Sequence, residues 1–598
     1  MSSLLKRVFI GHRGVGKSSL LKRHQSFFSE ITHFDLDHEI EKATQMGISE
    51  FFNLNGEKKF REIEKNVFIK LLEHKSYVIA LGAGFDVSLI PADCEVIYVS
   101  RRTDSDGRIF LNRPRLNPEL SPLDEYQRRY QQRQANFRKR ANFIYHLPEG
   151  FQGHCAISQG IEKSILTLTF RSDFKIQNAF ITLIPKKESL LQFFNSIELR
   201  TDLFSDAHIK KIISENPQKY FLISYRKKAA SFEHTAGLID WALELGEVPP
   251  VLLNNQQLIV SNHDDTLEVA VAKFKNYSNF QQKLCPVISS WRELIQGHHW
   301  QQENPRRRSF LPRTPKDQSK SLWRWYRELQ FSKQKINFIQ MFQDFDDQPS
   351  LFEYLKAVSF SSQHREHESL TKASEESHFF AVLGYPVHHS WTPITQMEKT
   401  KKNVLAIPLQ EDDFSLAVDF LNKLGLKAAA VTSPLKNLAG ELAKKGQPCN
   451  TLVFYKDSVR GTSTDEEGFQ KLLKAFERKS LLNLKDQKIV IWGGGGVLDS
   501  LKSYLPKASF YSAQTAMPRA DQMPVESPDV IIWSAPRKSG IQMPPVPWRP
   551  SWVIDANYAE NSLGLEYAQK AGCHYISGAD MFYGQAEAQA GFWSAHKK

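Results

Sequence analysis

The chain has 598 residues, 41% hydrophobic and 24% charged, with a formal net charge of +12; at roughly 100–200 residues per domain this predicts about three to five globular domains. Five scattered cysteines without a CxxC pair argue against a disulfide framework or a zinc site. No apolar run reaches the length of a membrane span, and a basic residue interrupts the first apolar stretch, so a signal peptide and a membrane partner are not expected and a cytoplasmic location is. The positive charge favours anionic partners, among which nucleic acid, anionic lipid and small phosphorylated or carboxylated substrates are not distinguished by charge alone.

In chain order, the first apolar run, RVFI, reads as a strand, and GHRGVGKSSL follows it. Gly11, Gly14, Gly16, Lys17 and Ser18 fill the pattern G-x-x-x-x-G-K-[ST]. Its glycines let backbone N–H groups wrap phosphates, its lysine supplies a point charge, and its serine reaches Mg²⁺, so ATP and Mg²⁺ are expected here. HFDLDHEI then places Asp35 and Asp37 at alternate positions closing a short strand, so that both face one side. NGEKKFREIE carries Arg61, and VIALGAGF is a second glycine loop.

This order of motifs resembles shikimate kinase across residues 1–155. The resemblance implies that Asp37 holds the acceptor hydroxyls and draws off a proton, that Asp35 helps Ser18 place Mg²⁺, and that Gly82, Ala83 and Gly84 line the acceptor site. It also implies that Arg61 and Arg133 hold a carboxylate and that Arg113, in NRPRL, closes over the phosphates. Ala83 replaces the middle glycine of the family's triplet, and Phe137 stands where a tyrosine is usual. Taken as a charge run alone, QRRYQQRQANFRKR reads equally as a solvated helix face or a nucleic-acid patch.

Two stretches read as joints: HLPEGFQGHCAISQG (146–160) and the polar SSQHREHESLTKASEESH (361–378). They divide the chain into about 1–155, 165–360 and 375–598. The first and third segments alternate short apolar runs with longer amphipathic ones, the pattern of α/β domains with parallel sheets. In the middle segment IELRTDLF, FLISYR, IVSNHDD and QKLCPV follow one another, and the basic, proline-containing ENPRRRSFLPRTPKDQSKS (303–321) reads as a surface loop.

The middle order resembles type I 3-dehydroquinate dehydratase, a (β/α)₈ barrel, here shortened. The resemblance implies that Glu198, Arg200 and Arg226 bind substrate, that His263 is the general acid/base and that Lys283 forms an imine. Arg327 and Gln348 are the implied carboxylate-binding and covering residues. An imine needs an unprotonated lysine, which nearby arginines would favour. The acid that usually follows the Arg226 equivalent is missing, since Ala230 sits there.

In the third segment KIVIWGGGGVLDSL reads as a strand, a glycine loop and a helix start, with Gly493, Gly495 and Gly496 suited to a pyrophosphate. Around it GYPVHHSWTP, VTSPLK, CNTL, GTSTDEEG and GADMFYGQAEAQAGFW occur in that order. This resembles shikimate dehydrogenase, a two-lobed α/β enzyme with a Rossmann-type domain, here about 480–560. The resemblance implies that Ser390 and Thr392 bind the carboxylate and that Lys436 and Asp465 form the catalytic pair. It assigns Asn450 and Gln585 to ring hydroxyls and Tyr558 to the site wall. NADP is the expected cofactor, with Arg519 standing in for an absent 2′-phosphate arginine and NAD left open.

Together the resemblances imply a fused shikimate-pathway enzyme, laid out like the C-terminal part of the fungal pentafunctional arom protein, acting on 3-dehydroquinate, 3-dehydroshikimate and shikimate. A ligand-sensing regulator resembling the quinate repressor is the alternative. Nucleic-acid binding lacks a recognisable module and is not expected. Monomer and homodimer are both left open.

Overall fold

The structure, a computed structural model, describes residues 5–111, 115, 117–167, 179–192, 194–227, 237–253, 257–341, 347–363, 378–493, 504–519, 524–536 and 540–596. The chain divides into two compact units: residues 1–101, 135–377 and 415–425 form the first, and 102–134, 378–414 and 426–598 the second.

The first unit holds two sheets. One contains β1 (Lys6–Ile10), β2 (Thr32–Asp35), β3 (Tyr77–Ala80), β4 (Glu95–Ser100) and β5 (Phe143–His146) in the order β2-β3-β1-β4-β5. All its pairings are parallel. The apolar strands β1, β3 and β4 are buried on both faces, as a parallel sheet between helices requires, while edge strand β2 is only partly buried. Around it lie α1 (Lys17–Phe27), α2 (Leu36–Thr44), α3 (Ile48–Leu71), α4 (Pro122–Arg140), whose first part is grouped with the second unit, and α5 (Ala156–Thr167).

Helix α5 begins one residue past the expected segment end at 155 and packs onto this sheet's layer. Arg23 of α1 makes a two-pronged ion pair with the buried Glu162 of α5 at 2.5 and 2.9 Å, and Tyr145 donates to the same carboxylate at 2.9 Å. Arg7 donates to the Leu166 carbonyl at 3.1 Å. The helix that ends the stretch read as a joint is therefore bound to the first layer by buried charge just beyond it, at Glu162.

The second sheet has eight strands: β6 (Phe180–Thr182), β7 (Ser196–Arg200), β8 (Tyr220–Tyr225), β9 (Leu238–Ala242), β10 (Leu258–Asn262), β11 (Gln281–Leu284), β12 (Arg308–Phe310) and β13 (Phe338–Ile339). They lie side by side in sequence order, all parallel, and β13 pairs back onto β6. Side chains stitch the β12 end to the segment before β13: Gln334 accepts from Phe310 N at 3.0 Å and Ser309 accepts from Ile336 N at 3.3 Å. Strand β12 corrects the reading of 303–321 as a surface loop. Its Ser309 and Phe310 are buried, and Gly297 on the preceding helix leaves room for the Phe310 ring, where a β-carbon would stand 2.1 Å from Cζ.

The second unit also holds two sheets. Strands β14 (Phe379–Gly384), β15 (Val404–Pro408), β16 (Leu426–Val431), β17 (Thr451–Phe454) and β18 (Val459–Thr462) run β15-β14-β16-β17-β18, parallel through β16 and antiparallel beyond. Strands β19 (Ile489–Gly493), β20 (Ser509–Tyr511), β21 (Val530–Ser534), β22 (Trp552–Asp555) and β23 (His574–Ile576) form a parallel sheet in the order β20-β19-β21-β22-β23, the open arrangement expected of a nucleotide-binding lobe. No described helix is long and apolar enough to cross a membrane.

Candidate functional site

Three constellations arise where strands end, and each is built differently. In the first sheet the loop from β1 to α1 carries Gly11, Gly14 and Gly16. Gly14 has φ 76° and Gly16 φ 105°, left-handed conformations that disfavour other residues. Lys17 donates to the carbonyls of Gly11 and His12 at 2.9 and 3.0 Å, so it folds over its own loop. Ser18 is exposed at the start of α1.

The pair read as two strand positions is arranged otherwise. Asp35 ends β2 and caps α2, accepting from Asp37 N at 3.2 Å, while Asp37 sits in the first turn of that helix. The strand ends two residues before Asp37, so alternation does not apply, because the capping carboxylate starts the helix.

Asp37, Arg61, Gly82 and Gly84 are nevertheless brought together. A β-carbon on Gly82 would stand 3.0 Å from Asp37 Oδ1 and 3.3 Å from Glu64 Oε1; one on Gly84 would stand 2.5 Å from Arg61 Nη2. Arg61 donates to the buried Glu64 at 2.7 Å and to Glu57 at 3.3 Å. Gly56, with φ 74° inside α3, kinks the helix just before this pair. Glu64 was not foreseen, although its place three residues after Arg61 on one helix predicts the contact.

Ala83 lies between the two glycines, Phe137 packs on His12 with ring centroids 5.0 Å apart, and Arg133 falls in the part of α4 grouped with the second unit. Arg113 lies outside the described residues.

In the eight-stranded sheet, parallel register sets Ser224 of β8 beside Asp240 of β9, and Ser261 of β10 beside Lys283 of β11. Lys283 Nζ donates to Asp240, and both side chains are almost fully buried. Arg226 donates to Asp240 at 3.1 Å, and its other terminal nitrogen lies 2.9 Å from His263 Nδ1. Ser224 bridges Asp240 and Glu198 at 3.1 and 2.6 Å, and Thr182 donates to Glu198 at 2.5 Å.

Burial works to raise the pKa of Asp240, yet Lys283 and Arg226 hold it well below the usual carboxylate range. Burial, with Arg226 and Lys283 nearby, pushes His263 well below its ordinary value, so the imidazole is neutral. Besides the arginine expected nearby, a carboxylate meets the Lys283 amine, and this contact occupies the position from which the amine would attack. Asp240 was missed, though a lone acid within the apolar strand LIDWA is the signal that marks it.

Arg200 is held by Asp202 at 2.7 and 3.1 Å. Arg327 is buried, which lowers its pKa, with Asp347 among its charged neighbours; Gln348 is buried close behind Asp347 in sequence. Ala230 lies outside the described residues.

The third constellation lines a pocket of about 110 Å³ at the edge of the β14–β18 sheet. Ser390, Thr392, Lys436, Asn450, Asp465, Tyr558 and Gln585 all line it, together with His389 and Ala430. Lys436 opens the helix Lys436–Leu442 and donates to both Asp465 oxygens at 2.9 and 2.7 Å. Asn450 and Gln585 donate to Asp465 Oδ1 at 3.0 and 2.7 Å, and Ser463 to Oδ2 at 3.3 Å. Ser390 accepts from Thr392 N at 3.2 Å, and Trp391 packs on Tyr558 at 4.5 Å between centroids.

Asp465 and Gln585 meet because the helices Asp465–Ser480 and Ala579–Ala595 touch through glycine. A β-carbon on Gly468 would stand 2.4 Å from Gln585 Cγ, and one on Gly584 2.9 Å from Gly468 Cα. Beside this pocket's lobe, β19 ends at Gly493 with φ 102°, where a β-carbon would stand 2.7 Å from Ala535 N. Arg519 donates to the Gly493 carbonyl at 3.1 Å. Gly495 and Gly496 lie outside the described residues.

Residues 13–147 match the family model described as shikimate kinase. Among curated relatives, the shikimate kinase of Bartonella quintana is 43% identical over 86 residues, covering 14% of this chain and 40% of that protein. The shikimate dehydrogenase (NADP(+)) of Prochlorococcus marinus strain MIT 9515 is 37% identical over 136 residues, covering 21% of this chain and 46% of the relative. The shikimate biosynthesis protein AroDE of Chlamydia pneumoniae is 28% identical over 254 residues, covering 37% of this chain and 51% of that protein. The chain thus spans about half the length, or less, of these relatives.

Proposed function

We propose that this chain is a multifunctional shikimate-pathway enzyme that phosphorylates shikimate with ATP and reduces 3-dehydroshikimate with NADPH. The observation that carries the reading is the pocket in which Lys436 and Asp465 pair, with Asn450 and Gln585 turned onto the same carboxylate. Gly493, where the chain leaves β19 with no room for a side chain, and Arg519 beside it fit a dinucleotide pyrophosphate and a 2′-phosphate. The bound cofactor supplies the hydride.

Lys436 delivers the proton to the ketone oxygen as charge develops there, and Asp465 holds the ammonium in line. Ser390 and Thr392 take the substrate carboxylate, Asn450 and Gln585 its ring hydroxyls, and Tyr558 excludes water.

In the first sheet, phosphoryl transfer forms the bond from the shikimate 3-hydroxyl oxygen to the γ-phosphorus and breaks the γ-phosphorus bond to the bridging oxygen of ADP. Asp37 takes the hydroxyl proton, Arg61 grips the carboxylate, and the 11–18 loop with Lys17 neutralises the phosphates. Ser18 is the residue that fits Mg²⁺, with Asp35 near the start of α2.

The eight-stranded sheet is proposed as the dehydratase unit of a (β/α)₈ barrel, supported by strands in sequence order with the last beside the first. There Lys283 attacks the carbonyl of 3-dehydroquinate once Asp240 releases it, and neutral His263 moves the proton.

The test supplies one substrate at a time to the purified protein. Shikimate with ATP reads the kinase, shikimate with NADP⁺ or NAD⁺ the dehydrogenase, and 3-dehydroquinate the dehydratase. Absence of turnover in all three overturns the enzyme reading in favour of a metabolite-binding regulator. Borohydride trapping of 3-dehydroquinate that persists in Lys283→Ala removes the lysine's role.

A further inference from the structure

The stretch Asp104–Phe110 follows β4 in sequence but belongs to the same compact unit as the Lys436–Asp465 pocket. It is fastened beside two walls of that pocket. On one side Asp106 Oδ2 lies 2.7 Å from His388 Nε2, and His388 immediately precedes His389 and Ser390 of the lining.

On the other side, Asn561 donates to the Asp106 carbonyl at 3.1 Å and Ile109 N donates to the Glu560 carbonyl at 2.8 Å. Gln569 donates to the Phe110 carbonyl at 3.1 Å, and the Arg108 guanidinium pairs with the Glu560 carboxylate. Glu560 stands two residues after Tyr558, which also lines the pocket.

Arg108 is 1% exposed and is gripped at once by Asp104, Glu560, the Tyr126 hydroxyl at 2.8 Å and Thr103 Oγ1 at 3.1 Å. A guanidinium buried this completely, with carboxylates from two separate segments, resists sliding, because losing either partner strands a charge away from water.

We infer that Asp104–Phe110 is a strap for this pocket, in which Asp106 and Arg108 are positioning residues. Asp106 sets the His388–Thr392 loop that presents Ser390, and Arg108 sets the Tyr558–Ser562 segment. Neither lines the pocket, so their effect is on how well the walls fit a carboxylated polyol and not on proton or hydride transfer. The substrate class rests on the dehydrogenase reading proposed above; the strap's hold on the walls does not.

Amide exchange and steady-state kinetics on the full chain test this, with Asp106→Ala and Glu560→Gln as variants. Glu560 has a side chain 53% exposed, and Glu560→Gln keeps its shape while removing the charge that pairs with Arg108, which still keeps Asp104. Amides of 387–392 in Asp106→Ala and of 556–562 in Glu560→Gln should exchange at least about tenfold faster than in the wild type, while those of β14 and β16 hold their rates.

The KM for shikimate should rise by about 5–20-fold in both variants with kcat within about twofold. Asp106→Asn, which keeps an oxygen facing His388, should return both readouts to within about twofold of wild type. Unchanged exchange overturns the strap, and faster exchange with an unchanged KM overturns its role in substrate fit. A wild-type protein that turns over no shikimate refutes the proposed function instead, and the exchange rates then still decide whether the strap holds the walls.

Discussion

Two lysine–aspartate pairs in this chain are chemically alike and physically opposite. Lys436 and Asp465 meet at the wall of a pocket, with side chains 25% and 7% exposed. Lys283 and Asp240 meet inside a parallel sheet, at 1% and 0%. The open pair is surrounded by amides and a hydroxyl that can turn to a ligand; the sealed pair is enclosed by Arg226, Ser224 and, through Arg226, His263. An ion pair that solvent and substrate reach can pass a proton on. One without access serves first to satisfy its own buried charges, and chemistry there must begin by breaking it.

Removing Lys436 should produce the largest change. Lys436→Ala should lower kcat for shikimate oxidation by about 10²–10⁴-fold, read from NADPH absorbance, because the proton carrier is lost. A fall below about tenfold would break the contrast, since the open pair would then be no more catalytic than a structural one.

The sealed pair should answer in stability. Lys283→Met leaves Asp240 buried with only Arg226 and Ser224 as partners and should cost about 3–5 kcal/mol in urea unfolding. Replacing both members together, as Lys283→Met with Asp240→Asn, should recover much of that loss.

A third buried acid sharpens the comparison because it has no cation beside it among the described residues. Asp555 ends β22, is fully buried, and accepts from Asn557 N at 2.8 Å and the Tyr575 hydroxyl at 3.0 Å; burial pushes its pKa up to about 6. Between its unfolded value of 3.8 and about 6 the folded state holds a proton that the unfolded chain has lost. The stability this provides is present below that window and is lost as pH rises through about 6, by about 3 kcal/mol in all. Unfolding measured from pH 4 to 7 should show this slope in the wild type and lose it in Asp555→Asn.

The smallest effect expected is at the helix contact behind the open pair. Gly468→Ala inserts a methyl group against Gln585 and should cost about 1–3 kcal/mol while raising KM for shikimate, as the amide is pushed off Asp465. Unchanged kinetics in that variant would show that the helix contact does not set the pocket.

Much of the molecule was legible in order. The phosphate loop sits between β1 and α1, and Lys436, Asp465, Asn450 and Gln585 converge although they are spread over 150 residues of sequence, from 436 to 585. Motif order was sufficient there because each motif lies at the end of an element, where parallel sheets gather loops. The reading failed where one residue's neighbours come from other strands. Asp37 fell in the first turn of a helix capped by Asp35, 303–321 contained a buried strand, and Asp240 met Lys283.

Local chemistry in the chain is enough to specify the glycine turns, the apolar strands and the reactive residue types, since φ, propensity and periodicity are properties of a few neighbouring residues. Tertiary structure alone decided which lysine faces a pocket and which is sealed, and that Asp104–Phe110 lies with the residues around 388 and 560. Burial and the partners of a charge are set by segments tens to hundreds of residues apart, and those two quantities govern what an ionisable side chain can do.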